Sequence, residues 1–139
     1  MTNENGEDTT VRLIGIDTPE SVNPDESKNN EFGEMASEYT KTLLKDIDIV
    51  YLQYDEQLQD VYGRTLAYVW TCENVNPEDS SDIEAYMLNA ILVKDGYAYN
   101  KDYKPNSHYA QVFCKLRENA QTQNYGLWQY EDFSKLWLE

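Results

Sequence analysis

The 139-residue chain contains two cysteines and one histidine. Cys72 and Cys114 stand far apart and neither belongs to a CxxC pair, so a zinc site built on His108 and two thiolates is excluded. The two sulfurs fit one disulfide in an oxidising compartment, and equally two buried free thiols. No run approaches the 18 apolar residues that suggest a membrane span, and the polar stretch Met1–Thr10 lacks the apolar centre of a signal peptide. Cations are scarce as well: 11 Lys and Arg face 26 Asp and Glu, a formal net charge of −15. Nucleic-acid binders draw much of their affinity from cations that neutralise phosphates. On composition alone the chain is therefore a soluble acidic domain, or one that binds cations or basic partners, unless a small local patch is positive.

Apolar residues make up 40% of the chain, with 12 Tyr and 3 Trp, enough for one aromatic-rich core and one domain. Val11–Ile16 is a β-branched, apolar run that ends in the turn residues Asp17-Thr18-Pro19, which predicts a strand. Arg12 interrupts its apolar character and needs a partner or an opening. Ser21–Asn30 is polar and predicts a loop. Phe32, Met35, Ala36, Tyr39 and Leu43 recur with helical spacing, so a helix is expected over Glu31–Asp46. Strands are expected over Ile47–Tyr54 and Gly63–Trp70, the latter with Leu66, Tyr68 and Trp70 on the face of Arg64. Ser81 and Glu84 fit a capping box that opens a second helix, stopped by Gly96. An irregular Tyr-rich link over Tyr97–Pro105 leads to a third helix, capped by Asn106 or Ser107 and ended by Gly126. Trp128 is expected to pack back on the body, with a tail that is mobile or docked by Leu136 and Trp137. Three strands cannot close a barrel unaided.

Two places carry chemistry. Arg12 and Asp17-Thr18-Pro19-Glu20 lie at the end of the first strand, and Tyr62-Gly63-Arg64 at the start of the third. Hydrolysis of a phosphodiester needs an attacking water, a base and positive charge on the phosphoryl oxygens. Glu20 is a candidate base, Asp17 an oxygen ligand for a hard cation, and Arg12 and Arg64 a pair of guanidinium forks for phosphate oxygens. Local chemistry leaves plainer readings open: a capped turn at Asp17–Glu20, a structural ion pair for either arginine, and a simple turn at Gly63.

The segments VRLIGIDTPES, FGEMASEYTKTLL, DVYGRTLAYVW, LNAILVKDGYA, YKPNSH and the closing GLW together resemble the staphylococcal nuclease family. The resemblance covers Val11–Trp128. It implies an α+β domain, an OB-fold barrel followed by helices, incomplete here with three expected strands and three helices. Residues 1–10 are then a disordered or expression-derived N-terminus, 11–128 the nuclease-like domain and 129–139 a C-terminal tail. The resemblance further implies calcium-dependent endonucleolytic cleavage of DNA or RNA that leaves 3′-phosphate ends, by a protein that is secreted or attached to the cell surface. By motif, Glu20 would be the general base, and Arg12 and Arg64 would stabilise the transition state. Asp17 would bind Ca²⁺ by its side chain and Thr18 by its carbonyl oxygen. Tyr62 and Tyr103 would lie beside the nucleotide. Lys101 stands where the family has a second base-contacting tyrosine, with Tyr99 as its nearest substitute.

The family pattern includes two earlier strands and a calcium-ligating Asp that find no counterpart here, because Asp8 lies too close to Val11. A longer parent chain, a second copy exchanging strands in a homodimer, or a partner strand would complete the barrel. The expected function is therefore a Ca²⁺-dependent nuclease with an incomplete metal site. The alternatives are a non-catalytic domain of the same fold that binds oligonucleotide or protein, and a loosely calcium-binding surface protein.

Overall fold

The computed structural model describes residues 9–19 and 31–136. The first apolar run does not stay in one strand. It forms β1 (Val11–Leu13), turns at Ile14-Gly15 and resumes as β2 (Ile16–Asp17). Gly15 makes that break: its φ is +79°, and a Cβ there would stand 2.7 Å from the ring of Phe113. α1 (Glu31–Leu44) follows and buries Gly33 and Ala36 on its inner face. β3 is only Tyr51–Gln53, shorter than the β-rich stretch suggested, and β4 runs from Thr65 to Trp70.

β1 pairs in parallel with β4, placing Arg12 opposite Leu66, while β3 pairs with β4 antiparallel. The sheet order is β1-β4-β3. β4 is thus central, and Ala67, Tyr68, Val69 and Trp70 are all buried. A second sheet joins β2 to β5 (Tyr99–Asn100), a short strand inside the link expected to be irregular. Among the described residues the domain is α+β, with five short strands and five helices, and its two sheets do not close on each other.

The expected second helix is two. α2 (Ser80–Tyr86) and α3 (Leu88–Lys94) are separated by Met87, whose extended backbone bridges to Trp70. Met87 is fully buried, which contributes about 1.5–3 kcal/mol for its side chain. The cap also differs from the expected box: Asp79, not Ser81, is the N-cap, and its side chain accepts the Ser81 amide at 2.8 Å. Neither Asn106 nor Ser107 caps α4 (Ala110–Thr122), whose first turn follows Tyr109 without a side-chain cap. α4 ends before Asn124, which takes the left-handed conformation, and Gly126 instead opens a 3-10 turn over Gly126–Gln129.

The main core packs β4, α3 and α4 around Tyr68, Met87, Leu92 and Phe113. Trp128 is buried, as expected, in a second cluster with Leu127 and Phe133. The tail forms α5 (Glu131–Leu136) and docks through Phe133, whose ring meets Phe32 and Trp128 edge-on at 5.7 and 4.8 Å. Trp137 and the Leu136 side chain lie outside the described residues. Cys72 and Cys114 are both free and half-buried. Among the described residues no helix is long and apolar enough to cross a membrane.

Candidate active site

The turn that closes onto β4 is organised by one carboxylate. Asp60 Oδ1 accepts the amides of Tyr62 and Arg64, each at 2.9 Å, and Oδ2 accepts the Arg64 Nε–H at 2.6 Å. Partial desolvation pushes the Asp60 carboxyl up, but these hydrogen bonds and the Arg64 charge hold it below the ordinary carboxylate range. Gly63 completes the turn at φ +80°, with open space around its Cα. Arg64 thereby leaves the turn just before β4, tethered through Nε, and its guanidinium lies 5.6 Å from the centroid of the Tyr62 ring. It precedes the strand instead of lying inside it.

Arg12, on β1, donates from Nη1 to the Leu13 carbonyl at 2.9 Å. Its Nη2 stands 3.7 Å from Asp17 Oδ1, a loose ion pair in which both side chains remain partly exposed. Arg12 and Arg64 line the same cleft, of about 300 Å³, whose walls also include Leu66, Val61, Tyr103 and Lys104. Parallel pairing explains the meeting: with Arg12 opposite Leu66, Arg64 stands two residues before that partner, just ahead of the neighbouring strand. Tyr62 is strongly exposed and lines the adjoining pocket with Gln59 and Arg64.

Asp17 belongs to β2 and pairs with Tyr99. Thr18 follows it, half-buried. Glu20 lies outside the described residues. Among the described residues no group of three or more His, Cys, Asp or Glu side chains gathers to hold a metal ion. Asp17 and the Thr18 carbonyl alone fall short of the six to eight oxygens that Ca²⁺ takes.

Two site residues escaped the sequence reading. Asp60, four positions before Arg64, has a readable signal, since an Asp that begins a Tyr-Gly turn commonly accepts the amide two residues on. Lys104 carried no signal of its own beyond its place next to Tyr103, and it is the fold that sets it on the cleft wall.

A second polar network reaches the cleft through Gln57. Asp55 Oδ2 accepts the Tyr68 hydroxyl at 2.7 Å and the His108 amide at 3.1 Å. Asn106, buried, binds both the amide and the carbonyl of Gln57, at 2.7 and 2.8 Å. The loop before Asp60 is therefore fixed to the segment that carries Tyr103. The Tyr68 hydroxyl is pushed far up by burial and by Asp55, and it stays a donor at all physiological pH.

The model of the staphylococcal nuclease homologue family matches residues 10–130. A thermonuclease of Staphylococcus intermedius is 37% identical over 126 residues, which cover 91% of this chain and 67% of that protein. A thermonuclease of Staphylococcus hyicus is 35% identical over 128 residues, 92% of this chain and 68% of the relative. The SPbeta prophage-derived endonuclease YokF of Bacillus subtilis (strain 168) is 32% identical over 125 residues, 89% of this chain but 38% of the relative. The match spans β1 with Arg12 and the turn with Arg64, and the chain belongs to the staphylococcal nuclease family.

Proposed function

We propose that the chain is the nuclease domain of a calcium-dependent endonuclease that hydrolyses DNA and RNA phosphodiesters to 3′-phosphate ends, and that it works outside the cell or at its surface. The observation that carries this reading is the pair Arg12 and Arg64 on the walls of one cleft. Two guanidiniums there can each bind non-bridging oxygens of one phosphate and strengthen those bonds as negative charge grows in the transition state.

In the proposed reaction Glu20 takes a proton from the attacking water. The water oxygen forms a bond to phosphorus, and the bond from phosphorus to the 5′ oxygen breaks. Arg64 hydrogen-bonds the departing oxygen, which takes its proton from solvent. Asp60 is the positioning residue that sets the Arg64 side chain by its 2.6 Å contact at Nε and leaves the guanidinium's remaining N–H groups to the substrate. Tyr62 and Tyr103 flank the bound strand. Asp17 and the Thr18 carbonyl would be the chain's calcium donors, and the ion, when bound, would supply positive charge to the phosphoryl oxygens.

The test is the kinetics of Arg12→Gln and Arg64→Gln on a single-stranded oligonucleotide. Each is expected to lower kcat by on the order of 100-fold or more, with a smaller change in KM. An unchanged kcat in either variant contradicts the assignment.

A non-catalytic oligonucleotide- or protein-binding domain is the second reading. The shortage of gathered carboxylates among the described residues favours it. It predicts binding that is indifferent to calcium and to Glu20→Gln.

A further inference from the structure

The chain carries a net charge of −15 with only 11 Lys and Arg, yet four of those cations converge at one edge. Arg12, Arg64 and Lys104 line the cleft. Lys101 stands just outside it, with Nζ 5.2 Å from the centroid of the Tyr103 ring. Arg12 approaches the same ring, its guanidinium carbon 5.6 Å from the centroid. Both distances fall in the range of cation–π attraction. Tyr103 thus has two cations against its ring, which is already engaged without a base.

The segment is held at both ends. The Lys101 amide donates to the Gly15 carbonyl at 2.8 Å, which ties it to the turn between β1 and β2. The Asn106 amide donates to the Tyr103 carbonyl at 3.0 Å, and the Asn106 side chain clasps Gln57. The carboxylate inside the segment, Asp102, is engaged by the Ser107 hydroxyl. Lys101 and Lys104 are exposed, and among the described residues neither has a carboxylate within ion-pair distance. By contrast, Arg64 is bound to Asp60 and Arg12 faces Asp17.

We infer that Lys101 and Lys104 form a second anion subsite, which holds a phosphate of the nucleic-acid strand next to the one gripped by Arg12 and Arg64, and that Tyr103 serves there as a platform for cations instead of a base. The inference rests on the nucleic-acid reading above and deepens it. In an acidic protein the subsite supplies the local positive charge that draws in a polyanion against the overall repulsion. Because the phosphate backbone carries no sequence information, the subsite strengthens binding without regard to base.

The test is binding of fluorescein-labelled (dT)12 and (dA)12 by anisotropy in the presence of chelator, across a series of salt concentrations. It uses the whole chain and the exposed substitutions Lys101→Gln, Lys104→Gln and, as a control of equal charge, Lys41→Gln, whose lysine is paired with Glu38 on α1. Each phosphate of a single strand that is no longer neutralised by a lysine lowers the slope of log K against log salt by about 0.7, which is about a fivefold weaker affinity at 0.1 M salt. The expected result is that weakening in Lys101→Gln and Lys104→Gln, equal for both strands, with Lys41→Gln unchanged. Unchanged slopes, a weakening confined to one base, an equal weakening in Lys41→Gln, or a wild-type chain without salt-dependent affinity would each overturn the inference. Cleavage in calcium is followed alongside. Cleavage with unchanged slopes removes the subsite alone, whereas the expected slopes without cleavage remove the nuclease reading and keep the subsite.

Discussion

Replacing Asn89 by leucine removes the polar clamp that holds the two halves of the cleft together. Asn89 is fully buried in α3. Its Oδ1 accepts the Val69 amide of β4 at 2.9 Å, and its Nδ2 donates to the carbonyls of Ile14 and Ala67 at 3.0 and 3.3 Å. One side chain thus ties the helix to the strand that begins beside Arg64 and to the turn that follows Arg12. Leucine fills a similar volume, so no cavity contributes. The Val69 amide and the Ile14 carbonyl lose their partners inside the protein, whereas the Ala67 carbonyl still receives the Ile14 amide at 3.1 Å. Each orphaned buried group costs about 1–3 kcal/mol, so the two together cost about 4 kcal/mol. That is a large part of the roughly 5–15 kcal/mol by which a domain is stable. With a urea slope of about 2 kcal/mol/M, the midpoint should fall by about 2 M, measured by tryptophan fluorescence with an unchanged slope. A fall below about 0.5 M would refute the reasoning, because it would show that the clamp's partners find water or each other at little cost.

Three further substitutions probe two tight glycine turns and one bonded carboxylate. Gly96→Ala places a Cβ 2.0 Å from the Tyr125 carbonyl oxygen at a φ of +88°, and it should destabilise by more than the about 1–3 kcal/mol of left-handed strain alone. Gly63→Ala, at a similar φ but with open space, should cost about 1–2 kcal/mol, and urea midpoints that rank the two the other way would contradict the packing described. The Asp55 carboxyl is pushed up by burial but held lower overall by donation from Tyr68, His108 and Glu56. A carboxylate depressed in the folded state stabilises above its unfolded pKa of about 3.9, and that stability is lost as pH falls through the folded value. Asp55→Asn should therefore flatten the acid limb of stability below about pH 4, as read from urea midpoints between neutral and acid pH, and an unaltered limb would show that Asp55 does not contribute to it.

Much of the fold could be read from periodicity. The spacing of Phe32, Met35 and Tyr39 located α1 within two residues at its end, and the run through Trp70 located the central strand. What periodicity missed was local backbone geometry overruled by burial. Met87 interrupts a helical pattern because its side chain and its bridge to Trp70 favour an extended residue there. The VRLIGI run breaks at Gly15 because Phe113, almost one hundred residues later, fills the space beside it. Asn106 looked like a helix cap, the common use of such a residue, but is consumed in holding Gln57. At the site, sequence motifs named both arginines, and the structure adds that they share a cleft. The family resemblance placed Lys101 beside the nucleotide, but not its convergence with Lys104 on the cleft, where the Lys101 amide is tied to the Gly15 carbonyl.

The decisive assay is cleavage of a fluorescent single-stranded DNA by this chain, in calcium and then in excess chelator, with Glu20→Gln assayed in parallel. A calcium-dependent nuclease cleaves in calcium, loses that cleavage on chelation, and slows by at least about 100-fold in Glu20→Gln. Binding of the same strand without cleavage in either condition would contradict that reading, and would make the two-arginine cleft a site that holds nucleic acid and does not hydrolyse it.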